Sequence, residues 1–190
     1  MGGTALNLVR IIGLSVLLVP PAAAQAPQPN GPSVDRVGLP VYAQGFTLLR
    51  RFHGAQQNRV GLVYANAAAA SVTDLGSLPY PHGAIFLVEW RPALTDSAGA
   101  AVRDADGQVR AGDEIVQIDV MRRERGFGEA YGAARNGEWE FASYRPDGTH
   151  ATAPEGTGQC AACHQAAGPG RDFVFRGRFG PISTMRMTGN

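Results

Sequence analysis

"AIFLVEW" (84–90) stays apolar at successive positions until Glu89. Its length and its β-branched and aromatic content make it a strand. Because both of its faces are apolar, it belongs in the middle of a sheet rather than at an edge. Working outward, "RVGLVY" (59–64) reads as another strand. "EIVQIDVM" (114–121) alternates, with Val116, Ile118 and Val120 on one face, and "EWEFASY" (138–144) sets Trp139 and Phe141 against Glu138 and Glu140. The turn signals "DADG" (104–107) and "PDG" (146–148) fall between these runs. "VYAQGFTLLRRF" (41–52) has a period ambiguous between helix and strand. "NAAAASVTDLG" (66–76) predicts a short helix with Asn66 as N-cap and Gly76 as its stop. The expectation is an α+β fold: an antiparallel sheet of about four or five strands with a few covering helices.

The N-terminus bears on the compartment. One cation, Arg10, precedes the apolar run Ile11–Val19, and Ala22, Ala23 and Ala24 follow. This is the layout of a signal peptide over residues 1–24, and the apolar run is short against a hydrocarbon core of about 30 Å. Residues 25–33, "QAPQPNGPS", read as a disordered lead-in. Residues 34–190 show no repeat and no second boundary, so they form one domain. The expected location is the periplasm. The chain has 17 basic side chains against 16 acids, and loss of Arg10 brings them into balance. Such a charge points neither to nucleic acid nor to an anionic membrane. Every basic residue is an arginine, for the sequence contains no lysine.

The chain's two cysteines lie in "GQCAACHQAAGPGRDFVF" (158–175), and His164 directly follows Cys163. Four chemistries compete for this stretch. A thioredoxin-like pair belongs at a helix start inside a βαβ unit, but the loop "THATAPEGTGQ" precedes Cys160. Structural zinc needs about four ligands, and His53, His82 and His150 have no partner at ligand spacing. A disulfide here would close almost no loop. Haem c needs two thiols one helical turn apart for the vinyl groups, an imidazole on the same turn for the iron, and export. Cys160, Cys163, His164 and the leader supply all of these. The expectation is one covalent haem c per chain with His164 on the metal.

The sixth iron position decides what such a haem does. Met121, Met185, Met187, His53, His82 and His150 are the candidate ligands, and none stands out. An open position and a filled one both remain.

The blocks "VYAN" (63–66), "LPYPHGAIFLVEW" (78–90), "VMRRE" (120–124), "GEWEFASYRPDG" (137–148), "CAACH" (160–164) and "DFVF" (172–175) together resemble the cytochrome P460 family, which includes the cytochromes c′-beta. The resemblance implies a sheet-rich fold, a single haem with His164 proximal, an open distal pocket and a homodimer. Tyr80 and Phe86 are the candidate pocket walls. The hydroxylamine-oxidising members carry a lysine cross-linked to the porphyrin and use a nearby carboxylate. Without lysine that cross-link cannot form, which places the chain nearer the c′-beta branch. Glu155 is the candidate carboxylate. The functional expectation is a protein that binds a diatomic gas, nitric oxide foremost. The alternatives are a one-electron carrier, working with a redox partner protein, and an oxidising enzyme that lacks the cross-link.

Overall fold

The computed structural model describes residues 30–176 of the chain. Six antiparallel strands form one sheet: β1 (Phe46–Gly54), β2 (Arg59–Asn66), β3 (Ile85–Pro92), β4 (Gln117–Arg123), β5 (Trp139–Tyr144) and β6 (His150–Thr152). Their spatial order is their sequence order, so each strand pairs with the one before it. Two short α-helices, α1 (Ala67–Ala70) and α2 (Gly158–His164), accompany the sheet. The α+β expectation therefore holds, with the apolar run of β3 lying between β2 and β4. The count exceeds the expected four or five because β6 has three residues, too few to show a period.

The ambiguous segment is β1. Its register to β2 shifts between Leu48, which pairs with Tyr64, and Arg50, which pairs with Val63. Leu49 is thus a bulge, and an extra residue breaks the period of two that would have identified the strand. The expected helix shrinks to one turn. Asn66 caps it as anticipated, its Oδ1 accepting from Ala69 N at 3.0 Å. The same oxygen also accepts from Ile85 N at 3.0 Å, which ties the helix start to β3. Gly76 does not end this helix; it sits in a separate 3-10 turn, Leu75–Ser77, capped by Asp74.

Both faces of the sheet are covered. On one, Phe86, Met121, Trp139 and Phe141 pack with Tyr80, Ala69 of α1 and Ala161 of α2. On the other, Leu87, Val120, Ala142 and Tyr144 lie beneath Val37, Leu39 and Tyr42 of the N-terminal segment. This strap explains why Glu140, on the polar side of the alternation in β5, has no solvent exposure. Arg36 of the strap donates to it through Nε at 3.1 Å, and Gly128 N donates at 3.1 Å. A carboxylate pointing away from the apolar core thus meets a cation arriving from far along the chain.

Asp35 fastens the strap. Its carboxylate accepts from the Tyr144 hydroxyl, from His150 Nε2 at 3.0 Å and from the amides of Val37 (2.8 Å) and Gly38 (3.1 Å). Burial alone would raise its pKa, but these donors together hold it below the 3.8 of an ordinary aspartate. A depressed carboxylate contributes stability that is present above its unfolded pKa and lost as pH falls through the folded one. Asp35→Asn is therefore expected to lower stability at neutral pH and to flatten the fall below about pH 3.8 in urea titrations. An unchanged acid limb would show that Asp35 does not anchor the strap.

Candidate functional site

α2 docks on the end of the sheet where β5 begins. Asn136, in the turn before β5, donates from Nδ2 to Ala161 O at 2.8 Å, and Ala161 is fully buried against the core. With Ala161 facing inward, Cys160, Cys163 and His164 fall together on a neighbouring face, because residues three and four apart share a helix side. All three line a cavity of about 520 Å³ between α2 and the sheet. That volume lies within the roughly 300–1,000 Å³ usual for ligand sites. Both thiols are free, and burial pushes the Cys160 thiol up to about 11, so it stays protonated at neutral pH.

His164 is held on three sides. Its ring lies 4.8 Å from the Phe141 ring and 5.0 Å from the Phe175 ring. Its Nδ1 is 2.8 Å from Phe173 O, so Nδ1–H donates to that carbonyl. This fixes the tautomer and leaves Nε2 with a free lone pair and no partner among the described residues. Burial lowers the pKa of the imidazole, which keeps it neutral, as a metal ligand must be. The carbonyl is aimed by two consecutive non-glycine residues in the left-handed region, Asp172 (φ 47°) and Phe173 (φ 59°). Such a pair is unfavourable for L-residues unless the surroundings hold it. The Asp172 carboxylate provides that hold by accepting from Tyr80 N at 3.0 Å, with Arg123 Nε at 3.5 Å. "DFVF" (172–175) is thus the loop that positions His164.

The sheet wall of the cavity is mainly apolar: Phe52, Val63, Phe86, Val88, Trp90 and Met121. Gly61 makes room for it, since a Cβ there would stand 2.6 Å from the Phe52 ring. Two charged residues interrupt it, Asp119 on β4 and Arg50 on β1. Asp119 accepts from Trp90 Nε1 (2.7 Å), Gln117 Nε2 (2.8 Å) and Ser143 Oγ (2.7 Å).

Among the residues expected at the site, Cys160, Cys163, His164 and Phe86 line the cavity. Tyr80 does not; it is fully buried behind Phe86, with ring centroids 5.1 Å apart. Glu155 is exposed in the 3-10 turn Pro154–Thr157, outside the cavity lining. Of the candidate sixth ligands, Met121 lines the cavity. His53, His82 and His150 lie elsewhere, facing Asn58, Glu138 and Asp35 respectively. Met185 and Met187 are outside the described residues, as is the expected leader over residues 1–24. Among the described residues no group of three His, Cys, Asp or Glu side chains is placed to hold a metal ion by itself.

Arg50, Trp90 and Asp119 were not foreseen. Asp119 was legible in principle, because it shares a strand face with Met121, opposite Ile118 and Val120.

A mainly apolar slot with one neutral, hydrogen-bonded imidazole facing into it, two thiols beside it and a half-buried cation in its wall fits a porphyrin carrying iron. The fold and site are those of a haem-binding protein. The chain belongs to the cytochrome P460 family, whose model matches residues 40–176. Family membership implies a haem cofactor and a cytochrome. Comparison with curated proteins finds no match.

The hold on His164 can be tested without cofactor. Asp172→Ala removes an acceptor from the buried Tyr80 amide and is expected to cost about 1–3 kcal/mol in denaturant titrations. Nitrogen NMR of His164 should also show mixed ring tautomers. A single Nδ1–H tautomer in the variant would mean that the Phe173 carbonyl holds its place unaided.

Proposed function

We propose that this protein is an exported cytochrome with one covalent haem c, acting as a binder of nitric oxide or another small diatomic molecule. The supporting observation is the division of labour at His164: Nδ1 is committed to the Phe173 carbonyl, while the ring faces a mainly apolar cavity with no second histidine among the described residues that line it. When bound, the haem iron supplies a site for a diatomic ligand. The chain's own residues do the rest. Cys160 and Cys163 form the thioethers, and His164 holds the metal. The phenyl and aliphatic side chains of β1 to β4 exclude water. A small neutral ligand gains little from polar groups, so a dry, crowded wall favours it over water. Asp119 does not contradict this, because its oxygens already serve three donors from the wall. The leader of residues 1–24 supports a periplasmic location, and likeness to the family supports a homodimer.

A second reading rests on Met121. It lines the same cavity, and a thioether on the iron would make the protein a one-electron carrier. An enzyme reading would need its base inside the cavity, which shifts that role from Glu155 to Asp119.

An optical spectrum of the ferrous protein separates these. A high-spin spectrum that shifts on addition of nitric oxide is expected. A low-spin spectrum indifferent to the gas would sink gas binding in favour of Met121 ligation. Turnover of hydroxylamine with an external oxidant, lost in Asp119→Asn, would establish the enzyme instead. Changing both Cys160 and Cys163 to alanine is expected to yield a colourless, less stable chain, because a cavity of about 520 Å³ then lacks its filling. A stable, coloured double variant would contradict covalent attachment.

A further inference from the structure

Arg50 is out of place in its surroundings. It lies on β1, in the wall of an apolar cavity, and burial lowers its pKa. Its guanidinium carbon stands 5.0 Å above the Phe52 ring, and Nη2 donates to Phe175 O at 2.7 Å. Its Nε is buried and has no partner among the described residues. The chain goes to some length to present it there. With regular alternation Leu49 and Arg50 would face opposite sides, yet both line the cavity, because the bulge at Leu49 resets the strand. A half-buried cation with an unused donor, in the wall of a mainly apolar slot, is the complement of an anion.

We infer that Arg50 is a carboxylate-binding site and that the carboxylate it takes is a haem propionate. The inference rests on the haem reading above. Position selects this anion. The thiols sit on α2, tied to β5 through Asn136 and Phe141, whereas Arg50 sits on β1, four strands away in the sheet order. In haem c the two thioether positions and the two propionates occupy opposite edges of the macrocycle, so a cofactor anchored at α2 sends its acidic edge toward β1. Arg176, also lining the cavity, donates to Val72 O and adds positive charge to this wall.

The test uses the haem-loaded protein. Midpoint potentials of wild type and Arg50→Gln are measured by spectroelectrochemistry from about pH 5 to 8. Removing the cation leaves the propionate uncompensated, which stabilises the ferric state. The variant's potential should therefore fall at neutral pH. Its pH dependence should also move upward, because the carboxylate loses the partner that kept its pKa low. Arg50→Lys, which keeps the charge, should restore most of the wild-type curve, and it decides the matter if Arg50→Gln will not hold haem. Superimposable curves for wild type and Arg50→Gln would overturn the inference. A parallel titration with nitrite, followed in the Soret band, tests for a free anion. A roughly tenfold loss of nitrite affinity in Arg50→Gln with an unshifted potential curve would assign Arg50 to a diffusible ligand and overturn the propionate assignment. A chain purified without covalent haem would instead bring down the haem reading, and this inference with it.

Discussion

The hydrogen bond from His164 Nδ1 to the Phe173 carbonyl is the interaction on which the site depends. An imidazole has two nitrogens, and committing one to a fixed acceptor makes the other a directed lone pair. The acceptor is fixed by backbone that L-residues rarely adopt in pairs, two left-handed residues in succession. That backbone is held in turn by the Asp172 carboxylate on the Tyr80 amide. Tyr80 packs edge-on against Trp139, which begins β5. From the imidazole, then, each link leads directly into the sheet. The site is as rigid as the sheet because it is made of the sheet's own packing.

Covering both faces of a meander solves two problems together. Each strand pairs with its neighbour in sequence, so long-range order is built from short connections. The N-terminal strap closes one face with apolar side chains and two charged anchors, Asp35 and Arg36. The other face is then free to carry a cavity, since it need not supply the whole core. Charged residues follow the same division. Glu140 points toward the strap and is neutralised by it, whereas Asp119 and Arg50 point toward the cavity. Asp119 is satisfied by wall donors; Arg50 keeps a donor in reserve.

Much of this was legible along the chain, because strands and the haem-type motif are local. Alternation in β5 and the continuous apolar run of β3 each follow from the period of two, and the pairing of Cys160 with Cys163 and His164 follows from the period of a helix. β1 was obscured for a specific reason: the bulge at Leu49 destroys the period at the very place where Arg50 turns into the cavity. Tyr80 could be judged aromatic and near β3, but not that it stands behind Phe86 rather than beside it. Glu155 is close to Cys160 in sequence, whereas Asp119, far away in sequence, lies on the facing strand.

By itself the amino-acid order determined strands β2 to β5, the one-turn spacing of thiols and imidazole and, through the absence of lysine, a cross-link that cannot form. Tertiary structure alone decided which carboxylate and which arginine face the cavity, which phenylalanines clasp His164 and which of its nitrogens stays available. The reason is physical. Periodicity reports the side of a strand or helix on which a residue stands. What it meets there depends on segments such as the strap and the loop after α2, which arrive from distant parts of the chain.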